Sequence, residues 1–142
     1  MRSGAQNHFQ NGPDQNLQAL LRHLSPKRNT GTYVFTSVPD TAGIDRSLPV
    51  ATIREREGTT MILQREVADG LGLPYTYLAA WITLRVNSDL AAVGLTAAVA
   101  TALAERGISC NVVAGYYHDH LFVDLGSAEE AMRALTRLSA AV

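Results

Sequence analysis

A chain of 142 residues with 46% apolar and 18% charged side chains can bury a core, which excludes a disordered polymer. Twelve basic residues against thirteen acidic ones exclude a general nucleic-acid binder, which needs a surplus of Lys and Arg to displace phosphate counterions. Cys110 stands alone, so there is no internal disulfide and no zinc-finger spacing, and no apolar run reaches the roughly 18 residues of a bilayer span.

Residues 1–13 are polar, carry Gly4, Gly12 and Pro13, and are predicted to form a flexible tail. They lack the apolar core of a signal peptide, so a cytoplasmic location is expected. In "DQNLQALLRHLSP" the spacing of Leu17, Leu20, Leu21 and Leu24 predicts a helix, capped by Asp14 and stopped by Pro26. "TYVFTSV" (32–38) is a strand by its β-branched and aromatic content, and a loop with Pro39, Gly43 and Pro49 follows it. "VATIRERE" and "TTMILQ" flank Glu57-Gly58 as a predicted hairpin, with a short helix at 65–72 behind it. From 77 to 86 the alternation of Ile82, Leu84 and Val86 with Trp81, Thr83 and Arg85 marks a strand with two unlike faces. Next come an Ala-rich helix with a Leu95, Val99, Leu103 stripe and a stop at Gly107, then the strands "ISCNVVAGYY" and "LFVDL". The last helix opens with Ser127 and Glu130 at capping-box spacing and places Ala131, Leu135, Leu138 and Val142 on one face.

Hairpin followed by helix thus occurs twice, in "ATIREREGTTMILQREVADGL" and in "NVVAGYYHDHLFVDLGSAEEAMRAL". The pattern predicts an α+β fold of two half-domains of split βαβ type, 14–75 and 76–142, with helices on one face of an antiparallel sheet. The edges of such a sheet need pairing, which makes a homodimer the expected assembly.

The run "NSDLAAVGLTAAVATALAERGISCNVVAGYYHDHLFV" resembles an ACT domain, through Asp89, Gly94, Leu95, Leu103, Gly107 and Ile108. From about residue 15 the chain is similar to bacterial tandem-ACT proteins without an enzyme domain, and more distantly to eukaryotic cytosolic arginine sensors. The resemblance implies a ferredoxin-like ACT fold, two βαββαβ-type half-domains in tandem, and a regulatory role through binding a small amino acid. Val93 stands where the family often has proline, and the first half lacks the aspartate-to-glycine turn.

Chemistry supplies an independent reason for a site at the same place. A zwitterion needs donors for its carboxylate, which amides at a helix N-terminus provide, and acceptors for its ammonium. The candidate ligand-binding residues are Asn87, Ser88, Asp89, Val93, Gly94, Leu95 and Thr96 at the strand-to-helix turn. Cys110, Asn111 and Val112 on the next strand and Asp119 at the hairpin join them, with Asp89, Asn111 or Asp119 as acceptors. The bland alternative is that Asp89 or Ser88 only caps the helix and Gly94 only permits close packing.

"GYYHDHLFV" (115–123) admits three readings. It is a hairpin tip with Asp119 in the turn, a ligand contact through Asp119 or a histidine, or, last, a metal pair in want of a third ligand. The turn comes first, and no metal and no cofactor is assigned. Cys110 is expected to be a small buried residue, Tyr116 and Tyr117 to place one ring on each face, and Trp81 to pack under helices or at a dimer interface. An enzyme using His118 and Asp119 as acid and base lacks a nucleophile, a cofactor motif and paired carboxylates. The expected function is therefore a non-enzymatic regulatory binder of a small amino acid or related metabolite, with no role at nucleic acid or membrane. The rival is a structural or protein-interaction dimer with a degenerate pocket.

Overall fold

The computed structural model describes residues 16–39, 43–86 and 92–142. After α1 (16–22) come β1 (Pro26–Arg28), β2 (Tyr33–Val38), β3 (Ala51–Arg54), β4 (Thr59–Gln64) and α2 (Arg65–Gly70). Then follow β5 (Leu78–Leu84), α3 (Leu95–Ala104), β6 (Cys110–Ala114), β7 (Asp119–Asp124) and α4 (Ala128–Ala140). The seven strands form one sheet in the order β3-β4-β2-β5-β7-β6, with β1 also paired to β5. Every pairing is antiparallel. This is the α+β, ferredoxin-like architecture expected from the sequence.

Strand alternation divides the sheet into two faces. On one face Ala80, Ile82, Leu84, Leu121 and Val123 meet the leucines of α1, the Leu95, Val99, Leu103 stripe of α3 and the alanines of α4. The small α4 residues Ala128, Ala131 and Ala134 let that helix approach closely while Leu135, 0% exposed, fills the space. Val34, Val38, Met61 and Leu63 continue the same face under Ala68 of α2. The opposite face has no helix among the described residues, yet Tyr33, Ile62, Ala79 and Phe122 are each at most 3% exposed there. Aromatic rings cover them. Phe35 meets Phe122 edge-on at 5.5 Å and Tyr33 meets Trp81 at 5.2 Å, an arrangement the ring quadrupole favours.

The weak sequence repeat is a repeat of register. Val38 pairs with Thr59 and Tyr33 with Gln64 in the first half; Leu84 pairs with Asp119 and Ala79 with Asp124 in the second. Arg54 opposes Thr59 as Ala114 opposes Asp119. The two hairpin turns close alike, Glu55 N–H on Gly58 O and Gly115 N–H on His118 O, both at 2.9 Å. A shift of sixty residues therefore superposes hairpin β3–β4 on β6–β7.

Between the halves the chain interlocks. β1, which no periodicity in the sequence announces, pairs Pro26 with Leu84 and Arg28 with Ile82. Ser25, at φ 45°, turns the chain out of α1, and its carbonyl accepts from Arg85 N and Nε. Leu21 and Leu24 of α1 lie in the same cluster as Leu84, Leu103 and Leu135, so residues 16–28 pack with the second half.

Several local expectations need correction. Ser127 precedes α4 but its side chain caps nothing; instead Asp124 accepts from Gly126 N at 3.0 Å and starts a 3₁₀ turn at Leu125–Ser127. Tyr116 and Tyr117 do not split between the faces: strand β6 ends at Ala114, both residues sit in the turn, and they are 78% and 70% exposed. Val142, expected on the buried face of α4, lies past the helix end and is 40% exposed. The proposed cap Asp14 falls outside the described residues.

Candidate functional site

Leu84 ends β5 opposite Asp119, and Asp119 in turn opposes Ala114 at the end of β6. The end of β5 and the hairpin that carries Asp119 therefore share one end of the sheet, and Leu95 at the start of α3 lies in the same core cluster as Leu84. Gly94 is the N-cap of α3 in the left-handed region (φ 97°) and brings no side chain to the helix start. The first-turn amides of α3 thus need an acceptor from elsewhere, while Asp119, half-buried, is an acceptor.

The other candidates separate by face. Leu95, 4% exposed, belongs to the core, whereas Val93 and Thr96 are exposed beside the turn. Cys110 and Val112 pack against the helix-side core, but Asn111 lies on the opposite face, where its Nδ2 donates to Phe122 O at 3.4 Å. Burial pushes the Cys110 thiol up to about 11, so it is an uncharged packing group at neutral pH. The structure thus brings Gly94, Thr96, Val112 and Asp119 to the helix side of the sheet and leaves Asn111 off it. Asn87, Ser88 and Asp89 lie outside the described residues.

A feature absent from the sequence reading covers this junction. A Cβ built on Gly94 would stand 3.1 Å from Leu17 Cδ2, so the first turns of α1 lean over the left-handed glycine. Glycine at 94 accordingly permits packing by α1 as well as any approach by a ligand.

Asp119, expected in the hairpin turn, is not in it: the turn closes between Gly115 and His118. Asp119 begins β7, paired with Leu84 and Ala114, so the "HDH" run is divided between turn and strand. His118 closes the hairpin, and its Nδ1 is buried without a hydrogen-bond partner among the described residues. His120 points to the helix-free face, where its Nδ1 lies 3.0 Å from Trp81 Nε1 and 3.1 Å from Thr83 Oγ1. Asn29, in the break between β1 and β2, donates from Nδ2 to Thr83 Oγ1 at 2.9 Å. An indole nitrogen only donates, so His120 Nδ1 accepts and the neutral ring carries its proton on Nε2. Desolvation, reinforced by His118 and opposed by Asp119, lowers the His120 pKa below the ordinary value of 6.5. Trp81 is thereby placed on the aromatic face rather than under helices. No group of three His, Cys, Asp or Glu side chains is assembled among the described residues. Nor is any described helix long and apolar enough to cross a membrane.

Comparison with known proteins fits this geometry. Residues 13–80 and residues 78–137 each match the ACT domain. A Vibrio cholerae protein of unknown function, described as a possible transport protein, is 47% identical. The match covers 90% of this chain and 99% of that one with a TM-score of 0.81. An Agrobacterium tumefaciens protein shares the fold at 17% identity and a TM-score of 0.62, over 80% and 87% of the two chains. The ligand-free regulatory subunit of aspartate kinase from Thermus thermophilus does so at 13% and 0.60, over 82% and 97%. No curated protein matches. With one sheet built from twice the same register and a match to the same domain over each half, the chain belongs to the ACT-domain family and carries two such domains in tandem.

Proposed function

We propose that this protein is a non-enzymatic cytoplasmic regulator, a homodimer of two-half protomers (14–75 and 76–142), that binds a small amino acid in the second half. The observations that support the reading are a helix start with no side chain on its N-cap, in the chain that follows β5, and an acceptor, Asp119, opposite the last residue of β5. Donors and an acceptor so placed suit the two charges of a zwitterion, carboxylate toward α3 and ammonium toward Asp119. Asn87, Ser88 and Asp89 precede the same helix in sequence and belong to the proposed site, as do Val93, Thr96 and Val112. Because Leu17 lies against Gly94, a ligand there touches α1, and a change in α1 reaches the core around Leu24 and Leu135. That supplies a two-state element on which binding can act.

The test is a thermal-shift panel of the twenty amino acids, followed by calorimetry on wild type and Asp119→Asn. A ligand at about 100 times its dissociation constant stabilises the fold by roughly 2.7 kcal/mol. One hit that weakens in the variant supports the site, and silence across the panel refutes it. The same Leu17 packing favours a second reading, a scaffold dimer whose pocket is filled by its own α1. A stable dimer that no amino acid affects would select that reading.

A further inference from the structure

The first half holds a cavity of about 670 Å³ between the loop 43–50 and the helix side of the β3–β4 hairpin. Its lining includes Arg46, Arg54, Thr52, Thr59 and Met61. The space has a structural origin. In the second half the corresponding sheet surface, Val112, Ala114, Asp119 and Leu121, lies on the side where α3 packs into the core. In the first half the described residues 43–50 form turns and bends instead of a helix; Ile44 packs on the cluster that holds Met61, while Thr52 and Arg54 stay exposed. A volume of this size lies within the ~300–1,000 Å³ of small-molecule sites.

The sixty-residue register shift lets the two halves be compared position by position. Thr52 stands for Val112, Arg54 for Ala114, Thr59 for Asp119 and Met61 for Leu121. The acidic group of the second half is replaced by a hydroxyl, and a guanidinium appears where the second half has only a methyl group. Among the described residues the lining has one carboxylate, Asp45, which accepts from Ser47 N at 2.9 Å and Ser47 Oγ at 2.8 Å. These bonds lower its pKa and keep it ionised, so it offsets one of the two arginine charges and leaves one in excess. Glu55, beside Arg54 in sequence, accepts from the hydroxyl of Thr60, whose side chain belongs to the other face of the sheet. Neither Arg46 nor Arg54 makes an ion pair with any described residue. Two guanidinium groups therefore line a cleft with the apolar Met61, 2% exposed, as its floor.

We infer that this cavity is a second binding site, distinct from the amino-acid site of the second half, and that it takes a small dicarboxylate. The planar forks of Arg46 and Arg54 match carboxylates bidentately, the hydroxyls of Thr52 and Thr59 donate to remaining oxygens, and Met61 accepts a short methylene chain. The charge preference is the reverse of that at Asp119.

Calorimetry at low ionic strength, with succinate and glutarate as probes, tests the inference on the full chain. Succinamide serves as the neutral control and inorganic phosphate as the compact anion. Binding of a dicarboxylate and not of the diamide is expected. It should weaken about tenfold or more in Arg54→Gln and in Arg46→Gln, and stay unchanged in Arg133→Gln on the exposed side of α4. Amide shift mapping on wild type, which needs no variant to fold, should place the perturbed signals at 44–61. Absence of dicarboxylate binding, tighter binding of phosphate, or shifts confined to 92–120 would each overturn the inference. Because probes and residues differ from those of the amino-acid site, failure at one leaves the other standing.

Discussion

Protonation of His120 should cost this fold stability, and the amount follows from two hydrogen bonds. Trp81 Nε1 and Thr83 Oγ1 both point at Nδ1, at 3.0 and 3.1 Å, and Thr83 already receives Asn29. A proton on Nδ1 sets N–H against N–H, so the indole loses its acceptor and the ring must rotate. Losing a net bond costs about 1 kcal/mol, and a half-buried donor left without a partner adds ~1–2 kcal/mol. For a chain of this length about 2 kcal/mol corresponds to roughly 6–8 °C in Tm. The sign is fixed by linkage. The folded pKa lies below the unfolded value near 6.5, so the stabilisation is complete above that value and is lost as pH falls through it toward the folded pKa. His118 and Asp119 flank the ring on its own hairpin, Lys27 lies beyond Thr83 in the same row, and Trp81, Thr83 and Val113 on the adjoining strands carry no charge. Urea unfolding of wild type and His120→Asn across pH 5–8, read by the single tryptophan, measures the effect. Asparagine keeps an acceptor near the Nδ1 position and cannot titrate. The wild type should lose more stability toward pH 5 than the variant, with a change in indole emission over the same range. Parallel pH profiles for the two proteins would refute the reasoning.

Gly115→Ala should destabilise by about 1–3 kcal/mol in urea unfolding, because its Cβ would stand 2.8 Å from His118 O and 3.1 Å from His120 Nε2. Leu24→Ala should cost ~2–5 kcal/mol, since the side chain is 0% exposed; hydrogen exchange should then rise in α4 before it rises in β3, because α1 packs with the second half. Cys110 should react slowly with iodoacetamide at neutral pH and accelerate only toward pH 11, where its thiolate forms; fast labelling at neutral pH would contradict its burial.

Much of this fold was readable in advance because period and burial agree where a helix packs on a sheet. The stripes Leu17, Leu20, Leu21, Leu24 and Leu95, Val99, Leu103 all turn to one core. Short strands at segment ends were not readable: β1 is three residues long and begins with a proline, and only its pairing with β5 makes it a strand. The capping box at Ser127 failed for a related reason. Asp124, three residues earlier, captures Gly126 N first and spends a turn as 3₁₀ helix, a competition that spacing alone does not reveal. At the candidate site, the shared end of Asp119 and Leu84 follows from the hairpin order. The separation of Asn111 from Val112 follows from strand alternation and was available to the same reading. Leu17 over Gly94 was not, since it joins residues 77 positions apart. Arg46 and Arg54 escaped because the residue-by-residue match of the two hairpins is visible only once register is known.

β5 is the strand through which the two halves must communicate. Its first residues, Leu78 and Ala79, pair with β2; its last, Ile82 to Leu84, pair with β1; and its other edge pairs with β7 from Ala79 to Leu84. The break between β1 and β2 is held by Asn29, whose N–H reaches Trp81 O at 2.8 Å while its side chain reaches Thr83. A shift of the second hairpin therefore cannot pass to the first half by rigid rotation at a linker, because no linker separates them. It has to slide or twist β5 against β2, where only two residue pairs hold the register, and two pairs are the weakest seam in the sheet. The aromatic cluster of Tyr33, Phe35, Trp81 and Phe122 bridges that seam on the helix-free face. Coupling between a site at Asp119 and one at Arg54, if both are occupied, consequently depends on how far those rings allow the seam to move.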